Sequence, residues 1–142
     1  SQLLDVLGAL AASSRWSKLL LPALPEVFYC LAVLMQIPPA TEVAWGSDLA
    51  QYLEDEDQDT FAVSTRVAAQ QCVLELLDWY GRKALPAIVG AVQRRMSDAA
   101  QAGSSHGWRA REAAWLTLAL AADWPQCIRM PCGHRFHEKC LL

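Results

Sequence analysis

Charge is scarce in this chain of 142 residues: Asp, Glu, Lys and Arg make up 19% of it, against roughly 25% in ordinary soluble domains. A sequence so short of charge, with 54% hydrophobic residues, buries more surface than a free-standing domain needs. That is the expectation for a piece of a larger stack whose ends are covered by neighbours. Catalytic devices are missing as well. There is no glycine-rich phosphate loop, no G-x-S-x-G elbow and no H-E-x-x-H helix. His106 follows Ser104 and Ser105 in a hydrophilic turn with no second base nearby in sequence, and reads as a surface or capping histidine. No enzyme active site is expected. Leu19 to Leu24 is apolar but short and contains Pro22, and no uncharged apolar run reaches the ~18 residues of a membrane span. Nor is there the basic stripe that phosphate-backbone binding requires. Neither a membrane nor a nucleic acid is therefore expected as a partner. The N-terminus has no signal-peptide layout and no initiator Met, so the chain is read as an internal fragment.

What charge there is lies unevenly. The formal net charge is -3, but residues 1–59 hold nine acids against only Arg15 and Lys18, while residues 60–142 hold six acids and ten bases. Five of the acids fall in one run, Glu54, Asp55, Glu56, Asp57 and Asp59. Carboxylates so close repel one another and bury nothing, which predicts a solvated loop, or helix entrance, over residues 54–59. The run has neither the alternation, the glycine nor the distant Glu of a calcium loop. It does create a negative potential that attracts an Arg/Lys-rich protein.

Helical periodicity dominates the rest. Leu3, Leu4, Leu7, Leu10 and Ala11 recur at helical spacing up to Ser13 and Ser14. Pro22 and Pro25 mark a connection and a new start, and Val27, Phe28, Leu31, Leu34 and Met35 form the next apolar face, ended by Pro38 and Pro39. Thr41 and Asp48 are candidate caps of two short helices. Thr60 or Ser64 caps a helix whose face includes Val67, Val73, Leu74, Leu77 and Tyr80, with Gly81 as its stop. A helix from about Lys83 to Ala102 carries Leu85, Ile88, Val89, Val92, Met96 and Ala99 on one side. After Gly103 a last helix runs from about Trp108 to Ala122 and is apolar on nearly every side, as in the interior of an assembly. The helix starts near Val63 and Gly107 are 44 positions apart, within the ~40–47 period of HEAT and armadillo repeats. The fold class expected is all-α, an α-solenoid segment of HEAT/armadillo-like helix pairs over residues 1–124. A small irregular bundle is the other arrangement this pattern permits.

One dense cluster stands at the C-terminus. Of five cysteines, Cys30 and Cys72 sit singly in apolar helical runs and read as inert buried thiols. Cys132, His134, His137 and Cys140 form C-x-H-x₂-H-x₂-C, and thiolate with imidazole is the ligand set zinc prefers. An odd number of cysteines beside two histidines argues against a secreted disulfide framework. The pattern resembles the central part of a RING-H2 finger, including Pro131, Gly133 and Phe136. In that family Cys132 and His134 would serve one zinc and His137 and Cys140 the other. Cys127 is alone where an upstream C-x₂-C pair is needed, and no downstream pair follows before Leu142. Two half-sites result, so residues 125–142 are expected as a short irregular tail, with no cofactor unless the module is completed. A zinc-binding ubiquitin-ligase protein of this type, and a generic armadillo-like scaffold, are the alternative readings.

Two ordered motifs carry a broader resemblance. The first is Tyr52-Leu53-Glu54-Asp55-Glu56-Asp57-Gln58-Asp59-Thr60-Phe61 followed by Thr65-Arg66-Val67-Ala68-Ala69-Gln70; the second is His106-Gly107-Trp108-Arg109-Ala110-Arg111-Glu112-Ala113-Ala114. With Phe28 to Gln36, they make the stretch from about Leu24 to Asp123 resemble the middle of the importin-nine-like β-karyopherins, nuclear transport receptors built of HEAT repeats. The resemblance implies a non-enzymatic receptor that wraps basic protein cargo such as histones, shuttles between cytoplasm and nucleus, and is loaded and released under Ran GTPase control. It places Ran contact in other parts of the intact receptor. Glu54, Asp55, Glu56, Asp57 and Asp59 are then the candidate cargo-binding residues.

Overall fold

The computed structural model describes residues 2–56, 64–103 and 107–124. Helix α1 spans Gln2–Ala12 and α2 spans Ser14–Leu20; a 3-10 turn, Leu21–Ala23, leads into α3, Leu24–Leu34. The proline-marked connection expected after Ser14 is thus itself helical. Pro22 and Pro25 sit at first-turn positions of the 3-10 turn and of α3, where a missing N–H costs nothing. Two short helices follow, α4 (Pro39–Ser47) and α5 (Leu49–Glu56), then α6 (Thr65–Tyr80). A second 3-10 turn, Gly81–Ala84, opens α7 (Leu85–Gln101), and α8 is Gly107–Asp123. The described residues contain no strand.

Local chemistry sets most of these ends. The Asp48 carboxylate accepts from the N–H groups of Ala50 at 2.9 Å and Gln51 at 3.3 Å, capping α5. Ser64 Oγ accepts from Val67 N–H at 3.2 Å and caps α6. Gly81, at φ +58°, ends α6 with its N–H on the Leu77 carbonyl, a conformation that favours glycine. The α6 start falls two residues after the expected Val63, and Thr65 and Gly107 begin their helices 42 positions apart.

The helices lie in two rows. In one, α6 is flanked by α1 and α8; in the other, α3 lies beside α7, and α3 also touches α6 and α8. The closest neighbours are α7 and α8, so the tightest hairpin crosses Gly103 rather than joining α6 to α7 as the pairing by period suggests. The cause is small side chains: Gly107 lies so near α7 that a Cβ there would stand 2.3 Å from the Ala99 carbonyl oxygen. Between the rows Phe28, Leu31, Met35, Leu76, Leu77 and Ile88 are fully buried. Residues 14–47 are apolar enough over 18 residues to meet a membrane-span criterion of length and composition. They are nonetheless divided among α2, the 3-10 turn, α3 and α4, and Leu24, Phe28, Leu31 and Met35 spend their apolar surface in the core.

Helix α8 is not covered on every side. Trp115 is 60% exposed, while Ala113, Ala114 and Thr117 are buried. Its exposed line runs through Arg111, Trp115 and Ala119.

Candidate protein-binding surface

The acidic run begins on a helix end. Glu54 to Glu56 form the last turn of α5, so three of the five carboxylate residues stand at the negative pole of a helix. This differs from the expected loop or helix entrance, where the positive pole of α6 would welcome them. Acids at a C-terminal turn raise the local negative potential instead of relieving it. Asp57 and Asp59 lie outside the described residues.

Helices α4 and α5 hold this end of the run. The Trp45 and Tyr52 rings meet edge to face with centroids 5.0 Å apart, and Glu42 on α4 accepts from Arg109 Nε on α8 at 3.0 Å. Downstream of the run, Ser64 and Thr65 form one wall of a cleft of about 300 Å³, with Leu34, Pro38, Thr41 and Trp45 opposite. Arg66 also lines it, but its side chain is only 10% exposed and its charge is spent internally. The guanidinium bonds both Glu112 oxygens, at 2.9 and 2.6 Å, and donates to the Met35 carbonyl. This satisfies a carbonyl left over at the end of α3, and one side chain joins α3, α6 and α8.

A second arginine works the same way. Arg95 on α7 is 7% exposed and donates to Asp98 Oδ2 at 3.2 Å and to Gln36 Oε1. Its Nε is buried without an acceptor. Tyr29 on α3 donates its hydroxyl to the same Asp98 oxygen at 2.7 Å, and Arg94 lies 3.8 Å over the Tyr29 ring while pairing with Glu26. The Tyr29 hydrogen bond, then the Arg95 bond and charge, hold the Asp98 carboxyl below its ordinary 3.8 against the opposing effect of burial. Burial, with Glu75 and Asp5 nearby, pushes the Cys72 thiol up to about 11. Cys72 is the inert buried thiol expected, whereas Cys30 is exposed.

These arginine ties are what reading the sequence missed, although the spacing contained them. Ile88, Ala91, Arg95 and Ala99 share one face of α7, and all four are buried. Arg66, Ala69, Val73 and Leu77 do the same on α6. An arginine on an apolar stripe is a signal of a buried ion pair, because its charge must be met there.

Residues 20–131 match the family model described as Importin-9 central HEAT repeats. The chain belongs to this family. It is accordingly a HEAT-repeat scaffold segment of the nuclear-transport-receptor type, and its partners are proteins. The two motifs that carried the resemblance meet in space: Arg66 of the first is bonded to Glu112 of the second, and Arg109 of the second to Glu42. In this importin-9-like segment these pairs tie α8 to α6 and to α4. Cys132, His134, His137 and Cys140 lie outside the described residues.

Proposed function

We propose that this segment is an interior arch of a nuclear import receptor, and that Glu54, Asp55, Glu56, Asp57 and Asp59 attract basic cargo such as histones. The observation that carries the proposal is the membership of residues 20–131 in the importin-9 central-repeat family. The acidic run adds the chemistry. It emerges from the negative end of α5, and its charge reaches a partner over about one Debye length, ~8 Å at physiological salt. The intact receptor shuttles between cytoplasm and nucleus, with loading and release controlled by Ran GTPase through other repeats.

The test is a calorimetric titration with a core histone dimer at low and high salt. The comparison is with the variant Glu54→Gln, Asp55→Asn, Glu56→Gln, Asp57→Asn, Asp59→Asn. The reading predicts weaker binding by the variant and a flatter dependence on salt, because fewer charges steer and hold the cargo. Equal affinities for the two proteins at both salt concentrations would reduce the run to a hydrated connection.

A further inference from the structure

A different surface, on the α2 side of α6, has the opposite character. Residues 1–59 contain only two bases, Arg15 and Lys18, and both are on the short helix α2. Lys18 lines a groove of about 320 Å³ between α2 and the end of α6, and Lys83 lines its other wall. Between the lysines the lining combines the apolar Ala11, Leu21 and Trp79, the last 56% exposed, with Ser14 and Ser17. No carboxylate is among the lining residues.

The walls are fixed. Tyr80 donates its hydroxyl to the Ser17 carbonyl at 2.8 Å, pinning α2 to α6 across the groove. Gly81 then turns the chain so that the 3-10 turn carrying Lys83 closes the far side. Four arginines elsewhere in the fold are already used. Arg66, Arg94, Arg95 and Arg109 each pair with a carboxylate, while among the described residues Lys18 and Lys83 pair with none. Two unmatched ammonium groups flanking an exposed indole is a recognition pattern: the indole and aliphatic floor anchor an apolar side chain, and the lysines select its neighbours.

We propose that this groove binds a short acidic peptide segment of a protein partner, one with a Phe or Leu beside two or more carboxylates. The anchor side chain packs on Trp79 and Leu21, and the carboxylates face Lys18 and Lys83. The occupant is set by charge complementarity. It is opposite in sign to the cargo attracted by the run at 54–59, so one segment engages two partners of opposite charge. The groove stands apart from the acidic run and does not depend on that run's role.

The experiment is fluorescence anisotropy with the full chain and the labelled octapeptide Ser-Asp-Glu-Phe-Asp-Leu-Glu-Ser. Controls are the same peptide with Lys at each acidic position, the peptide with Ser for Phe and Leu, and a labelled oligo-dT. Saturable binding is expected for the acidic apolar peptide alone. It is expected to weaken about tenfold or more in Trp79→Ala and in Lys18→Glu/Lys83→Glu, all exposed positions whose helical content is checked by circular dichroism. The five-fold neutralised variant at residues 54–59 is expected to bind the peptide as well as the wild type does. No saturable binding at 1 mM peptide, equal binding by the groove variants, or equal binding of the lysine peptide would overturn the proposal. Preference for oligo-dT would reassign the groove to phosphate.

Discussion

Replacing Arg66 by Met should be among the most damaging single changes in this fold, and the structure sets the size. The substitution keeps most of the side chain's volume but removes two charge-assisted bonds to Glu112 and the bond to the Met35 carbonyl. Breaking a buried pair from one side costs about 3–5 kcal/mol, mostly for the charge left behind. Glu112 is 34% exposed and recovers some of its hydration, so the lower part of that range applies. The orphaned carbonyl adds to it, and a loss of about 3 kcal/mol follows. With a urea dependence of about 1–3 kcal/mol per molar, the midpoint should fall by roughly 1–3 M. Arg66→Lys cannot make the two-pronged contact and should cost about half as much. In Arg66→Met/Glu112→Met no charge is stranded, so the double variant should be more stable than the two single losses added together predict, by about 1 kcal/mol or more. Urea unfolding followed by circular dichroism measures the wild type, Arg66→Met, Arg66→Lys, Glu112→Met and the double variant. A midpoint for Arg66→Met within about 0.3 M of wild type, or single losses that simply add, would refute the claim that this arginine joins three helices.

Three other expectations follow from the same geometry. Gly107→Ala drives a Cβ against the Ala99 carbonyl and should cost about 1–3 kcal/mol by pushing α8 from α7, read as a lower midpoint. Asp98 has its pKa lowered in the fold, so its contribution to stability is complete above 3.8 and is lost as pH falls through the lowered value. Tyr29→Phe removes the main cause of that lowering, so the variant should be less stable than wild type at pH 6 by about 1 kcal/mol, with the gap narrowing at pH 2; a gap independent of pH would contradict this. A disulfide reagent at pH 8 should label Cys30 and spare Cys72 until urea unfolds the chain, since burial keeps the Cys72 thiol protonated and covered; peptide mass spectrometry locates the label.

Much of this fold was legible in the residues themselves. The caps at Asp48 and Ser64, the stop at Gly81 and the break at Gly103 are local events, decided by a few atoms of side chain or by a positive φ. The apolar stripes of α3, α6 and α7 likewise announce themselves by spacing. Helix α2 did not, because its seven residues hold too little apolar surface to show a period. The α7–α8 contact was also hidden: closeness there depends on a glycine meeting a backbone carbonyl from another helix, and one helix's spacing cannot show its neighbour. The buried arginines illustrate the same limit. Their position on an apolar face was readable, but their partners lie on other elements, 31 to 59 residues away for Met35, Glu112 and Gln36. The acidic run was visible as a concentration of charge, yet only the backbone shows that it starts at the negative end of α5.

The role proposed for that run is tested most directly by zero-length carbodiimide coupling, which joins a carboxylate to a lysine amine only when the two touch. A histone dimer incubated with the chain and coupled should give cross-linked peptides concentrated at residues 54–59, disappearing at high salt. Cross-links spread over Glu26, Asp78 and Asp123 in proportion to their exposure, or none at all in a complex shown to form, would contradict it.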